Sequence, residues 1–196
     1  LRTEDAYSEN VIEEYNWICG AEFADSIGAD VINSSLGYTT FDYSIQNYTY
    51  DDLDGKTSPS TIAATMASRK GIIVVNAAGN SGNGSWKYIG APADADSILT
   101  VGAVDENKEI ASFSSYGPTS DGRVKPSVCA QGENTEVINS QGNVINSNGT
   151  SFASPVLAGL VTCLWQAHPT KSNMEIINAV IQSATLYNNP NDHDGF

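Results

Sequence analysis

Two short stretches of this chain carry residue types suited to acyl-transfer chemistry. In the first, Gly149-Thr150-Ser151-Phe152-Ala153-Ser154-Pro155 stands where a loop turns into an apolar helix. A serine there is exposed beside the free N–H groups of the first helical turn, which carry positive partial charge. Gly149 permits a tight turn or close backbone approach, and Thr150 is a good N-cap. Ser151 is thereby suited to attack a carbonyl and to have the resulting oxyanion stabilised. The plainer role of such a serine is helix capping. In the second stretch, Ile72-Ile73-Val74-Val75-Asn76-Ala77-Ala78-Gly79-Asn80-Ser81-Gly82 reads as a buried parallel strand entering a Gly/Asn-rich loop. Asn80 offers an amide donor at the carboxyl end of that strand, where open α/β sheets bind ligands. Ala77, Ala78 and Gly79 leave room for a substrate backbone. The plainer role of Asn80 is that of a turn residue.

These segments, together with others in the same order, resemble the subtilisin-like serine protease (subtilase) family. Asp30-Val31-Ile32-Asn33-Ser34-Ser35-Leu36-Gly37 resembles its substrate-binding strand, and Val75 to Asn80 its oxyanion segment. Ala91-Pro92 with Ile98 to Val104 resembles the next strand and its lead-in. Phe113-Ser114-Ser115-Tyr116-Gly117-Pro118 and Lys125-Pro126-Ser127-Val128-Cys129-Ala130-Gln131-Gly132 match two further signatures. The last departs from the usual acidic residue at Ser127 and the frequent proline at Gln131. The resemblance implies endopeptide hydrolysis through an acyl-enzyme on Ser151, with Asn80 as half of the oxyanion hole. It further implies a peptide or protein substrate lying along Ser35, Leu36 and Gly37. Ala78 and Gly79 would border the specificity pocket, and Gly90 would form its floor. The implied setting is extracellular or periplasmic.

The family's triad Asp and His lie in Asp-Thr/Ser-Gly and His-Gly-Thr motifs, and neither occurs here. The two histidines, His168 and His193, both follow Ser151. His168, before Pro169, reads as the end of the nucleophile helix; His193 lies in a polar tail. The expectation is therefore that residues 1–196 are the C-terminal part of a single catalytic domain whose N-terminal strands lie upstream. The isolated chain would then be inactive, because a serine without a base keeps its proton. The rest of its own domain becomes a partner, and self-association through an exposed sheet edge is a further expectation. The rival reading is a catalytically degenerate module acting in binding or as a scaffold. A third, in which Ala77 to Gly84 cradles a phosphate, lacks the P-loop lysine and the dinucleotide glycine spacing.

Composition bounds these readings. The 9 basic against 23 acidic residues give a net charge of −14, which argues against nucleic acid or an anionic membrane as partner. No apolar run approaches membrane-spanning length. Cys19, Cys129 and Cys163 lack metal spacing, and Cys19 and Cys163 are expected as buried thiols on apolar helical faces. The Tyr- and Asp-rich segment 38–55 follows the substrate strand. It reads either as a solvated acidic loop or as a rim in which Asp42, Asp51, Asp52 and Asp54 hold calcium. No cofactor is otherwise expected.

The elements that must position Ser151 and Asn80 alternate along the chain. Ile12, Tyr15, Cys19, Phe23 and Ile27 mark the apolar face of a helix over 10–27, closed by Gly28. Strands are predicted at 31–36, 72–78 and 98–104, and a helix capped by Ser58-Pro59 runs to Lys70. Phe152, Val156, Leu160 and Leu164 recur at helical spacing after Ser151. Residues 136–145 read as a hairpin, and Ser172 to Glu175 as a capping box opening a last helix. The implied architecture is α/β, a three-layer parallel sheet flanked by helices and incomplete at its N-terminal side.

Overall fold

The structure is a computed structural model and describes residues 1–5 and 7–196. Its centre is a four-stranded parallel sheet in the order β1-β2-β3-β4, formed by Val31–Ser34, Ile73–Ala77, Leu99–Val104 and Val128–Gln131. The register runs Val31 to Ile73, Val75 to Leu99 and Val101 to Val128. Alternation along β2 sends Ile73 and Val75 to one face and Val74 to the other, and all three are fully buried. Such two-sided burial is what a helix-covered parallel sheet demands.

One face is covered by α1 (Ile12–Ser26) and α2 (Pro59–Arg69), around Trp17, Ala64, Ala67 and Val74. The other is covered by α3 (Thr150–Ala167) and α4 (Asn173–Gln182), around Leu99, Val101, Leu157, Val161 and Ile177. Ser58 caps α2 by accepting from the Thr61 N–H, with Pro59 opening the helix. Ser172 and Glu175 form the reciprocal capping box of α4. An antiparallel hairpin, β5 (Thr135–Ile138) and β6 (Val144–Ser147), leads into α3. The expected three-layer α/β architecture is thus present, and β1 has no strand on its outer edge among the described residues.

Three sequence-based expectations fail here. The stripe on α1 faces solvent: Ile12, Tyr15, Phe23 and Ile27 are each at least half exposed, and Cys19 is exposed. The helix instead buries Glu13, Glu14 and Trp17. Burial of Glu14 is tolerable because Ser58, Ser60 and Tyr48 donate their hydroxyls to its carboxylate. The Glu13 carboxylate likewise accepts the N–H groups of Asp5 and Asn10. On α3, Val156 and Leu160 are exposed, and the sheet is met by Ala153, Leu157, Ala158 and Val161. Small residues at 153 and 158 let this helix approach the sheet, whereas periodicity cannot choose a face on a helix apolar all round. Cys163 is consequently exposed and not buried.

Lys125 is buried, 5% exposed, and its Nζ donates to the Ala95 carbonyl and the Thr100 hydroxyl, each at 2.9 Å. Burial, aided by the Arg123 guanidinium, pushes its ammonium down from 10.5 to about 7. The unfolded chain keeps this proton up to its ordinary value, so between those limits the unfolded state binds more protons. On this account stability rises with pH over that window. Lys125→Met removes the titration, so the parent's melting temperature should climb relative to the variant's between pH 7 and pH 10. A melting-temperature difference that stays constant across thermal scans at pH 6, 8 and 10 would contradict this account.

Candidate active site

Ser151 is the second residue of α3 and is partly exposed. Three contacts fix its position. The Gly149 N–H donates to the Gly132 carbonyl at 2.8 Å. At Gly132 a side chain would strike the Gly149 carbonyl at 2.7 Å, so the close approach requires glycine. The Ser35 hydroxyl donates to the Ser151 carbonyl at 3.1 Å, and Ser154 donates to the Asn33 side-chain oxygen at 2.8 Å. Both of these contacts tie the start of α3 to β1 and the residue that follows it.

Asn80 reaches the same point from the carboxyl end of β2. Its Oδ1 accepts the Thr150 N–H at 2.9 Å and the Thr150 hydroxyl at 3.1 Å. That hydroxyl accepts in turn from the Gly79 N–H at 3.1 Å. With Oδ1 so occupied, Nδ2 is the free end of the carboxamide. Thr150 is therefore a bridge to β2 and not the N-cap; Gly149 holds the cap position, without a side-chain cap bond. Local spacing could not reveal this, since the partners lie about seventy residues upstream.

Ser151, Asn80, Ser35, Leu36, Gly37, Gly79 and Gly90 all line one cavity of about 170 Å³. Ala78 does not. Strand alternation turns it away, into a cluster with Leu53, Ile89 and Ala93, and Ala77 lines the cavity in its place. At Gly90, which lines the cavity, a side chain would meet the Thr39 methyl at 3.0 Å and the Tyr38 carbonyl at 3.3 Å. A pair of backbone bonds between Tyr38 and Ala91 closes that end. Besides Thr150, the lining is completed by Thr39, Ser81, Trp86, Tyr88 and Ser115. Sequence reasoning missed these five; the aromatic pair inside the Gly/Ser-rich loop before Gly90 was the available signal. A second cavity, about 680 Å³, follows the open edge of β1 and shares Ser35 and Leu36 with the first.

Neither histidine hydrogen-bonds to Ser151. His168 forms the C-cap of α3, about 25 Å along the helix from Ser151. His193 stacks on Tyr116 with ring centroids 3.9 Å apart. Within the 38–55 segment the Asp52 carboxylate accepts the N–H and hydroxyl of Thr49, and Asp54 accepts the N–H groups of Lys56 and Thr57. Among the described residues, carboxylates converge within 4.8 Å of one another at Glu4, Glu9 and Glu13. Burial and the charges of Glu13, Glu4 and Asp42 push the Glu9 carboxyl up to about 7. No helix among the described residues is long and apolar enough to cross a membrane.

The chain is 37% identical over 169 residues to Subtilisin DY of Bacillus licheniformis, covering 86% of this chain and 54% of that protein. It is 35% identical over 178 residues to Subtilisin E of Bacillus subtilis strain 168, covering 90% and 41% respectively. It therefore spans about half the length of these relatives. Among solved structures, the self-cleaved protease domain of PatA superposes with a TM-score of 0.71 at 25% identity, over 89% of this chain and 61% of the other. Sphericase shares the fold with a TM-score of 0.71 at 22% identity, over 95% and 62%. The Subtilase family model matches residues 2–196, and with these relatives it assigns the chain to the subtilases, a family of serine proteases.

Proposed function

We propose that this chain carries the nucleophile, both donors of the oxyanion hole and the main substrate-binding strand of a serine endopeptidase. The observation that carries the reading is the meeting of Ser151 and Asn80, 71 positions apart, in one cavity with Ser35, Leu36 and Gly37. Substrate adds as an extended strand beside Ser35 to Gly37, with one side chain in the cavity. A general base takes the Ser151 hydroxyl proton as Oγ bonds to the carbonyl carbon. The oxyanion is held by the Asn80 Nδ2 and the Ser151 N–H. Collapse breaks the C–N bond, and the base returns its proton to the departing amine. Water then releases the acid by the same route in reverse.

The base comes from outside this chain. Ser151 Oγ has no hydrogen-bond partner among the described residues; His168 stands at the far end of α3, and His193 stacks on Tyr116. The open edge of β1 and the cavity along it support docking of the remainder of the catalytic domain there, with the acid and the base. On this reading the chain alone is inactive, and its exposed edge makes self-association the alternative to that partner. An extracellular or periplasmic setting, which the family resemblance implies, belongs to this reading. The second reading, a degenerate binding or scaffold module, is favoured by the same lack of a base.

A fluorophosphonate probe separates the two readings. The full-length protein should be labelled on one serine, and Ser151→Ala should abolish the label; a parent that resists labelling supports the binding module instead. Thr150→Val tests the bridge to Asn80. Losing one hydrogen bond at the oxyanion donor, about 1.4 kcal/mol, should slow labelling about tenfold. An unchanged rate would separate the Thr150 hydroxyl from the orientation of Asn80.

A further inference from the structure

The main chain leaves the sheet just before Asn80. β2 ends at Ala77, the Ala78 N–H still donates to the Val101 carbonyl of β3 at 2.9 Å, and residues 78–84 contain no helix or strand. Thr150 holds the Asn80 side chain, but a carboxamide is placed only as well as the main chain that bears it. The N–H and carbonyl of Asn80 itself have no hydrogen-bond partner among the described residues. The residues on either side of it do have one, and it is the same residue.

That residue is Ser115. Its N–H donates to the Gly79 carbonyl at 2.9 Å, and its Oγ accepts the Ser81 N–H at 2.9 Å. The main chain is thus gripped immediately before and immediately after Asn80. The grip needs a close approach: Gly79 has a φ of +109°, and a side chain there would come within 3.0 Å of Ser115 Oγ. Ser115 is buried, and the segment before it is rooted in the sheet. Ser114 Oγ accepts the Ala103 N–H of β3 at 3.0 Å, and the Ser114 N–H donates to the Ala111 carbonyl at 2.8 Å. The Phe113 carbonyl accepts the Gly82 N–H at 2.8 Å, and its ring packs on the core that α3 covers. A loop with no regular structure of its own is thereby tied to β3.

An oxyanion donor must stand about 2.7–3.1 Å from the place where the charged oxygen develops, so small shifts of its main chain are felt in the transition state. The bond to Gly79 runs between main chains and survives any side chain at 115. The bond from Ser81 requires an acceptor on that side chain. We infer that Ser115 is a positioning residue for the oxyanion donor, its hydroxyl pinning the far side of Asn80 and so setting where Nδ2 stands during the reaction. The inference rests on the endopeptidase reading and deepens it by adding a residue that acts through Asn80.

The test is a double-mutant cycle in the full-length protein, read by steady-state kinetics on a chromogenic peptide anilide. Ser115→Ala removes the acceptor and leaves the Ser81 N–H unpaired. It should lower kcat about tenfold, the effect of one hydrogen bond, with KM unchanged, because the displaced donor serves the transition state and not the bound substrate. In an Asn80→Ala background the same substitution should change kcat little, since no carboxamide remains to be positioned. A general loosening of the pocket would instead raise KM and would cost as much in both backgrounds. Either of those results, or a Ser115→Ala variant with the parent's kcat, overturns the inference. If Ser115→Ala does not fold, Ser115→Cys takes its place, because sulfur is only a weak acceptor; a folded Ser115→Cys variant with the parent's kcat overturns the inference equally. Fluorophosphonate labelling of the parent keeps the two claims apart: an unlabelled parent sinks the hydrolase reading, whereas a labelled parent with an additive cycle sinks only the role of Ser115.

Discussion

The short polar bridge between Thr150 and the end of β2 is the interaction on which the site depends. One hydroxyl accepts from the Gly79 N–H and donates to Asn80 Oδ1, while the Thr150 N–H donates to the same oxygen. This settles two matters together. It anchors the first turn of α3 to the sheet, and it fixes which end of the Asn80 carboxamide is free to donate. The remaining anchors of that turn run to the end of β4 through Gly132 and to β1 through Asn33 and Ser35. Ser151 is therefore positioned by the whole width of the sheet, and its placement is as rigid as the register of four strands.

The wall of the pocket is held differently, because residues 78–98 cross from β2 to β3 with little regular structure. Buried main-chain carbonyls there need donors from side chains. Thr100 donates to Ala93, Arg123 to Asp94, Lys125 to Ala95 and Ser127 to Ile98. The Asp94 carboxylate, also buried, accepts from Thr61 and from the Gly55 N–H. This pattern gives a physical reason for the departure at Ser127 from the acidic residue usual in the family. Its hydroxyl accepts the Thr100 N–H and donates to the Ile98 carbonyl, and an ionised carboxylate could only accept. With Lys125 Nζ donating to the Ala95 carbonyl and the Thr100 hydroxyl, this loop is braced from within the chain.

The order of elements, both capping serines of α2 and α4 and the hairpin before Ser151 were legible in the sequence because each is a local signal. The motifs around Ser35, Asn80 and Ser151 were legible for the same reason, and the fold brings them to one cavity. Other features depended on distant partners. Thr150 looked like a cap because its acceptor lies seventy residues away. Ala78 looked like a pocket residue until strand alternation put Ala77 in its place. The α1 stripe misled most. Apolar spacing said which residues share a face, but the buried face was decided by Glu13 and Glu14, whose donors come from residues 5, 10, 48, 58 and 60. No periodicity contains that information.

The same reasoning bears on the surfaces left open. Of the apolar α3, one face meets the sheet, while Val156 and Leu160 stay 51% and 56% exposed. A helix apolar all round is normally covered on both sides. Along β1 the unpaired edge adds main-chain donors and acceptors to the same demand. Ser151, at the start of α3, hydrogen-bonds through its carbonyl to Ser35, which directly follows β1. A body that completes the sheet at β1 thus arrives next to Ser151 Oγ, where the proposed mechanism requires a base. Pairing the edge and activating the serine are, on this reading, consequences of one docking event, so the chain's need for burial and its need for a proton acceptor are met by the same partner.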